Sequence, residues 1–252
     1  MVTRDRVALA RRALRCLAAQ TWPHLELVVV DDGEQDYAPA LAELPARIGV
    51  RYLKQRPEPG RYLGALRNLA LGHATADLCV QWDDDEWYHP ERIARQAAAL
   101  AESGADAAVL SWTLMHLDLP DWVEHAYRAD SGGGTPGTVM HRRGEVRYPN
   151  LRKAEDTRFL ARLAARGKVV RLGAEHAHLF IRCFHGSNTW HAGHFFARLR
   201  RSPRGVLSWA MARLRGDLRT HRQFRLSAPE RAAVAAFLAE SRELGLLARP
   251  SR

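Results

Sequence analysis

Short apolar runs alternate with helical patterns between residue 7 and residue 112, and this alternation constrains the fold more than any other feature of the chain. Residues 7–19 carry apolar side chains at the spacing of an amphipathic helix. Residues 25–30 (LELVVV) form a β-branched run that is typical of a strand buried in a parallel sheet. Strands and helices in alternation predict an α/β fold, a mostly parallel, doubly wound sheet flanked by helices.

The same patterns predict elements along the rest of the chain. Predicted strands cover residues 50–53, 77–81, 106–112, 138–142, 169–172 and 178–184. Predicted helices cover residues 62–74, 90–102, 155–165 and 227–244, the last with Ser227 as its N-cap. Residues 131–137 (SGGGTPG) predict a flexible loop.

Acidic residues follow two of the predicted strands. Asp31 and Asp32 end the first run, and residues 83–86 (DDDE) follow the strand over 77–81. Ligands of such sheets bind beyond the carboxyl ends of the strands, which favours one shared site. Asp83 and Asp85 are one residue apart and can reach one hard cation such as Mn²⁺ or Mg²⁺. The alternative is a solvated acidic loop whose carboxylates interact favourably with the dipole at the N-terminus of the next helix.

Composition narrows the class of protein. The chain has 38 Lys and Arg residues, only three of them Lys, and a formal net charge of +10. This reflects either a GC-rich genome or a surface for nucleic acid, acidic lipid or phosphorylated substrates. Three widely spaced cysteines without a CxxC pair indicate neither a zinc site nor a disulfide framework. Without a signal peptide or an apolar run of ~18 residues, we expect a cytoplasmic location, with the inner membrane face as a peripheral alternative.

Several segments in order resemble family 2 glycosyltransferases of bacteria, which have the GT-A fold. They are MVTRDR, QTWPHLELVVVDDG and GALRNLALGHATADLCVQWDDDEWYHPERIARQ. Residues 153–157 (KAEDT) resemble the ED motif of that family, and residues 184–190 (FHGSNTW) are similar to a segment of one bacterial branch. The resemblance covers residues 1–195. It implies metal-dependent, inverting transfer of a sugar from a nucleotide-sugar donor, with a UDP-sugar as the expectation.

The resemblance also implies roles for the acids. Asp32, with Asp31 beside it, is expected to accept a hydrogen bond from the base of the donor nucleotide. Arg67 is expected near the nucleotide and its phosphates. Asp83 and Asp85 form the DxD pair of the family, in which Asp85 is the main metal ligand and Asp83 contacts the ribose or the metal.

Further positions are matched to the family motifs. Asp84 stands at the variable position of the nucleotide-sugar site, and Glu86 stands where many members carry aspartate. Glu155 is expected to contact the nucleotide-sugar, and Asp156 to act as the general base on the acceptor hydroxyl. The alternative for Glu155 and Asp156 is plain charge at a helix N-terminus.

The resemblance names a histidine as a third metal ligand. His185 is expected to be that ligand, and His191 and His194 are either acceptor contacts or satisfied polar groups. Three tryptophans are candidates for stacking on a sugar or base: Trp82, Trp87 and Trp190. The alternative is core packing, which we favour for Trp87.

The N-terminal segment departs from the family pattern. Residues 1–6 resemble the loop after the first strand of the family, and no run in the sequence corresponds to that strand. We therefore expect a domain over residues 1–195 that lacks its first strand, with poor stability or weak donor binding unless upstream residues are restored. A basic helical extension is expected over residues 196–252.

The extension has its own alternatives. Residues 198–225 contain nine arginines, one acid and several apolar residues. A basic amphipathic helix could lie on an anionic membrane and present a lipid-linked acceptor, or pack on the catalytic domain with its arginines in water. Expected acceptors are a saccharide, a lipid-linked or a small molecule.

Two other functions compete with the glycosyltransferase. A GT-A-like nucleotidyltransferase would carry a Gly-rich basic loop after the first strand, and none is visible. An arginine-rich nucleic-acid-binding protein would give no reason for acids at two strand ends, so nucleic acid is not an expected partner.

Overall fold

The structure is a computed structural model that describes residues 1–186 and 191–247. The chain divides into two compact units. Unit 1 comprises Met1–Leu110 with Gly134–Leu172, and unit 2 comprises Ser111–Gly133 with the chain from Gly173 onward.

Eleven strands are formed within the described residues: β1 (Val2–Thr3), β2 (Leu25–Asp31), β3 (Ile48–Lys54), β4 (Leu78–Val80), β5 (Trp87–Tyr88), β6 (Ala107–Leu110), β7 (Trp112–Leu117), β8 (Ala126–Asp130), β9 (Met140–Arg142), β10 (Val169–Leu172) and β11 (Phe180–Phe184).

Eight α-helices accompany these strands in the described part of the chain: α1 (Val7–Ala18), α2 (Ala38–Ala42), α3 (Leu63–His73), α4 (Arg92–Ser103), α5 (Glu155–Arg166), α6 (Ala192–Ala197), α7 (Pro203–Leu214) and α8 (Ala228–Glu243). Short 3-10 helices lie at Pro136–Thr138, Ala174–Leu179, Arg198–Arg200, Leu218–Thr220 and Arg222–Phe224.

Unit 1 contains two sheets. The order β1-β2-β3 is parallel throughout, with Leu25 opposite Ile48 and Thr3 opposite Asp31. The second sheet has the order β10-β6-β9-β4. In that sheet β10 runs parallel to β6, whereas β9 runs antiparallel to both β4 and β6. The predicted α/β class with a mostly parallel sheet is confirmed, and β9 is the reversed strand.

A cavity of about 380 Å³ lies in unit 1 between β2 and β4. Its lining is mainly apolar and includes Val28 of β2, Val80 of β4 and Leu71 of α3. Strands β1 and β4 stand at the ends of their two sheets. Both end strands contribute to the lining, β1 through Val2 and β4 through Leu78, Cys79 and Val80.

Three of the stretches for which the sequence predicted a structure adopt a different one, wholly or in part. Val2 and Thr3, predicted as part of a loop, form a strand because their backbone pairs with Val30 and Asp31 of β2. The strand predicted over 106–112 is divided between β6 and β7 at Ser111, where the chain passes from unit 1 to unit 2. The first part of the strand predicted over 178–184 is a 3-10 helix, Ala174–Leu179.

Unit 2 is built on β7, which pairs parallel with β11 and antiparallel with β8. Its apolar cluster includes Tyr127, Phe195 and Leu199, and the Tyr127 hydroxyl donates to the Phe195 carbonyl at 2.6 Å. Phe195 and Leu199 lie on either side of the domain boundary predicted after residue 195, yet they share one cluster. That boundary stays a prediction.

The C-terminal part of unit 2 is helical, as the sequence predicts. Ser227 and Glu230 form a capping box at the start of α8, which satisfies backbone donors at that end. Of the helices in the described part of the chain, none combines the length and the apolar character that crossing a bilayer requires.

Candidate active site

Arg67 joins two acidic segments of unit 1. It lies on α3, where Nη2 donates to Oδ1 of Asp83 at 2.8 Å and Nη1 donates to Oε1 of Glu155 at 2.7 Å. Its guanidinium carbon also lies 5.4 Å from the ring centre of Tyr148, within the range of a cation–π contact. One buried cation thus holds the end of the β4 segment and the start of α5 together.

Electrostatics keep this arrangement charged. Burial lowers the pKa of Arg67, but the carboxylates of Asp83 and Glu155 outweigh burial, so its pKa lies above the ordinary value. Burial raises the pKa of Glu155, and Arg67 opposes that rise. The guanidinium is therefore a permanent positive charge between two acids.

The close approach of α3 to the segment before α5 sets this geometry. A Cβ on Gly64 would lie 2.0 Å from the carbonyl oxygen of Pro149, so only glycine fits there. One turn later Asn68 accepts from the backbone N–H of Tyr148 and donates to its carbonyl, both at 2.8 Å. The Asn68 side chain therefore fixes the backbone of Tyr148 beside Arg67.

Asp83 has further partners on the β4 side. The Gln81 amide nitrogen lies 3.2 Å from Oδ1 and 3.0 Å from Oδ2, and the Tyr88 hydroxyl accepts from the Asp83 backbone N–H at 2.6 Å. Tyr88 in turn stacks on Trp82 with ring centres 3.8 Å apart. Trp82 and Trp87 are both buried, in keeping with core packing.

The N-terminal segment contacts the other acids of the DDDE run. The Thr3 hydroxyl donates to Oδ2 of Asp84 at 2.6 Å. The Arg6 guanidinium lies 2.8 Å from Oδ2 of Asp85 and 3.6 Å from Oδ1 of Asp84. Burial raises the pKa of Asp84 to about 7, and the Asp85 carboxylate adds to that rise. The repulsion within the run is thus relieved partly by Arg6 and partly by the raised pKa of Asp84.

Asp31 and Asp32 lie at the carboxyl end of β2 and differ in their surroundings. Asp31 is fully buried, and its carboxylate accepts from the Gly33 backbone at 2.8 Å, the Tyr52 hydroxyl at 2.6 Å and the Lys54 ammonium at 2.7 Å. Asp32 forms an ion pair of 3.3 Å with the half-exposed Arg4. Both Asp31 oxygens are therefore occupied inside the protein, whereas Asp32 faces a guanidinium that can move.

Asp156 stands next to Glu155 in the first turn of α5. Its Oδ1 accepts from the backbone N–H of Thr157 at 2.6 Å, and the side chain is half-buried. The Arg67 network therefore brings Asp83 and Glu155 together and keeps Asp156 in the same turn.

The predicted histidines belong to unit 2. His185 follows β11 and is half-buried, and His194 lies on α6. Burial lowers the pKa of His194, and Arg198 and Arg182 add to this. The ligand role of His185 stays a prediction, and Trp190 lies outside the described residues.

Several site residues were not predicted from the sequence. Thr3, Arg6 and Gln81 contact the predicted acids directly. Tyr148 contacts Arg67 and Gln81, and Asn68 fixes the backbone of Tyr148. A signal existed for Arg6, since the alternating charges of residues 4–6 precede a helix whose first turn lacks an acid. Tyr148 carries no such signal because it lies in an irregular segment.

A family profile matches the part of the chain that holds this site. The profile of Glycosyl transferase family 2 matches residues 1–158. The chain is 32% identical over 81 residues to EpsH of Bacillus subtilis (strain 168), a protein assigned to the glycosyltransferases, and the match covers 32% of this chain and 23% of EpsH. It is 34% identical over 109 residues to the succinoglycan biosynthesis protein ExoO of Rhizobium meliloti (strain 1021), covering 42% of this chain and 30% of ExoO.

Solved structures share the fold at low identity. TarS of S. aureus residues 1–349, in complex with UDP-GlcNAc, has a TM-score of 0.58 and 18% identity over 96% of this chain and 71% of that one. The mannosyltransferase PcManGT of Pyrobaculum calidifontis, in complex with GDP-Man and Mn²⁺, has a TM-score of 0.55 and 20% identity over 97% of this chain and 79% of that one. The chain matches less than a third of the length of EpsH and of ExoO.

Proposed function

The chain belongs to glycosyl transferase family 2, and from that premise we propose that it moves a sugar from a nucleotide-sugar donor to an acceptor hydroxyl with inversion at the anomeric carbon. The observation that carries this proposal is the Arg67 bridge between Asp83 and Glu155. A largely buried guanidinium that holds one carboxylate just after β4 and another at the start of α5 suits the positioning of a charged donor.

A UDP-sugar is the proposed donor, and a GDP-sugar is the alternative to be tested. TarS was solved with UDP and with UDP-GlcNAc, and PcManGT was solved with GDP-Man. In this chain Asp32 is the proposed acceptor of a hydrogen bond from the base, and Asp31 supports it by fixing Gly33. Exchange of the Arg4 contact for a contact to the nucleotide would leave Asp32 paired.

The proposed cofactor is Mn²⁺ or Mg²⁺, held by Asp83 and Asp85, with His185 as the predicted third ligand. The donor set fits, since hard cations prefer carboxylate oxygens and commonly retain positions for substrate phosphates. Such an ion supplies charge neutralisation for the departing diphosphate. The Arg6 guanidinium lies 2.8 Å from the Asp85 carboxylate, so a bound ion would replace Arg6 as the counter-charge of that acid.

Asp156 is the proposed general base. The acceptor oxygen forms a bond to the anomeric carbon while the bond from that carbon to the nucleoside diphosphate breaks on the opposite face. The proton of the acceptor hydroxyl passes to the Asp156 carboxylate. Glu155 is proposed to fix the first turn of α5 through its ion pair with Arg67, which holds the neighbouring Asp156 in place. Glu155 is also proposed to contact the nucleotide-sugar.

Calorimetry tests the donor and metal assignments. UDP, GDP and dTDP are titrated with and without Mn²⁺ into wild type, Asp85→Ala and the control Glu102→Ala, which removes an exposed acid from α4. We expect metal-dependent binding of one nucleotide that is lost in Asp85→Ala and kept in Glu102→Ala. Absence of binding to every nucleotide by the folded wild type sinks the proposal.

A second experiment tests the base. Asp156→Asn is expected to keep donor affinity while transfer falls by at least about 100-fold, the lower range for general-base catalysis. Glu102→Gln is the matched control. Transfer retained in Asp156→Asn removes this residue from the role.

The acceptor is proposed to be a saccharide, a lipid-linked or a small molecule, reached in the cytoplasm or at the inner face of a membrane. Support for peripheral contact comes from α7, where Leu207 and Leu214 are 66% and 82% exposed and Met211 lies between them on the same face. Arginines flank this stripe, as in helices that lie on anionic lipid. We expect wild type to bind anionic vesicles and the Leu207→Ser, Leu214→Ser double variant not to bind them.

A further inference from the structure

A groove of about 470 Å³ in unit 2 is lined by a strongly basic set of side chains. Three arginines of the C-terminal region and one of β8 line it: Arg198, Arg201, Arg222 and Arg128. Asp130 is the one acid of this lining, and its Oδ1 already accepts from the backbone N–H of Gly132 at 2.7 Å. Positive charge in the groove is thus poorly balanced.

The four arginines are not equivalent. Arg128 lies 3.5 Å from the Glu230 carboxylate and is partly compensated. Within the described ranges 1–186 and 191–247, Arg198, Arg201 and Arg222 form no ion pair. Burial lowers the pKa of Arg198 to about 10, and the charges of Arg201 and Arg182 add to this. Like charges that repel one another in a groove favour binding of an anion.

Backbone elements of the same groove also suit an anion. Helix α7 begins at its wall, where Ser202 caps the first turn by accepting from the Gly205 N–H at 3.1 Å. The N-terminus of a helix of 12 residues carries partial positive charge. Gly132, in the loop that follows β8, also lines the groove and has a φ of +59°. The glycine-rich loop and the arginine-rich tail of the sequence therefore meet in one place.

We propose that this groove is a binding site for a phosphate ester or diphosphate, either on a lipid headgroup or on a free phosphorylated sugar. Guanidinium groups match phosphate oxygens in pairs, and the volume leaves room for the group that the phosphate carries. A carrier phosphate on the acceptor would be the ligand in the glycosyl transfer proposed above, and that assignment alone rests on the proposed function. The site itself is defined wholly by residues of unit 2.

Direct binding in metal-free buffer tests the site. The soluble probes are inorganic pyrophosphate and glucose 1-phosphate, and the lipid probe is a phosphatidylcholine vesicle with and without phosphatidic acid. Wild type is compared with the Arg198→Gln, Arg201→Gln double variant. The control is the Arg215→Gln, Arg225→Gln double variant, which removes the same charge from exposed positions of unit 2 outside the lining.

We expect wild type to bind at least one phosphate probe, and the groove variant to lose about tenfold or more in affinity, as for lost hydrogen bonds to a charged group. The control is expected to stay within about twofold, and circular dichroism confirms that both variants fold. Binding of vesicles alone identifies a lipid headgroup, and binding of glucose 1-phosphate identifies a free ester. Equal losses in the two variants, or no binding by wild type, overturns the proposal.

The outcome is separable from the donor experiment. Nucleotide binding that depends on Mn²⁺ and Asp85 is expected to persist in the groove variant. If wild type fails to bind any nucleotide in the presence of Mn²⁺, the proposed transferase activity is contradicted, whereas the proposed metal-free phosphate site is unaffected.

Discussion

Arg67 is a side chain on which two acidic segments of unit 1 converge, residues 83–86 and residues 155–156. Its two terminal nitrogens serve different carboxylates, each at less than 3 Å. A lysine offers one compact ammonium and cannot serve two acids in this fork-like manner. The site therefore depends on arginine as a shape as well as a charge.

Replacement of Arg67 by methionine is expected to leave the buried Glu155 and the partly buried Asp83 without their counter-charge. Breaking a buried pair in this way costs about 3–5 kcal/mol of unfolding free energy. Urea unfolding of Arg67→Met against Arg95→Met, which loses an exposed pair with Glu91, measures the difference. Arg95→Met is expected to change stability by about 1 kcal/mol or less. Similar losses in both variants would contradict the bridge.

The acids of the site could be predicted from the sequence because they stand in short motifs at the ends of predicted elements. Asp83 and Asp85 follow a predicted strand, and Glu155 and Asp156 begin a predicted helix. The contacts that pair these acids with arginines could not be predicted, since Arg6 reaches Asp85 across 79 positions and Arg67 reaches Glu155 across 88. Contacts at this separation are set by packing, which local patterns do not encode.

At the scale of elements, α3 packs closely against the segment before α5 because Gly64 has no side chain. Gly64→Ala places a Cβ 2.0 Å from the Pro149 oxygen and is expected to push α3 away, which lowers the melting temperature and weakens donor binding. Gly72→Ala on the same helix meets nothing within 4 Å and is expected to gain up to about 1 kcal/mol from helix propensity. Opposite signs in a thermal melt are the result that supports this packing.

Strand β9 carries a buried histidine with a pH effect of defined sign. Burial lowers the pKa of His141 below that of an ordinary histidine. The unfolded chain therefore takes up a proton more readily than the folded chain, so stability is lost as pH falls through about 6.5. Unfolding midpoints at pH 8 and pH 5.5 are expected to differ less in His141→Gln than in wild type or in His24→Gln, an exposed control. An unchanged pH dependence in His141→Gln would remove this residue as a cause.

Element types were well predicted where the period was clear, whereas only some boundaries were. Helix α1 and strand β2 begin at the residues expected from their apolar patterns. The split between β6 and β7 at Ser111 was missed because both strands are apolar and continuous in sequence. Such a run cannot report that the chain leaves one unit for another.

At the scale of the whole molecule, the last third of the chain is expected to be part of a core. Trp209 and Phe224 pack against the cluster of Met115 and Tyr127, and Phe237 lies 4.7 Å from the His116 ring. A fragment of residues 1–195 is therefore expected to expose apolar surface, bind a hydrophobic dye and melt without cooperativity. A fragment of residues 1–247 is expected to behave as the full chain does. A cooperative, soluble fragment 1–195 would instead favour the predicted domain boundary.

The cavity between β2 and β4 has a consequence for how the chain behaves at high concentration. Among the described residues β4 pairs only with β9, so its other edge can template a strand from a second copy. The net charge of +10 keeps copies apart at low ionic strength. Salt screens that repulsion. We therefore expect the protein to stay soluble at high concentration in buffer of low ionic strength and to precipitate as a β-rich aggregate when salt is added.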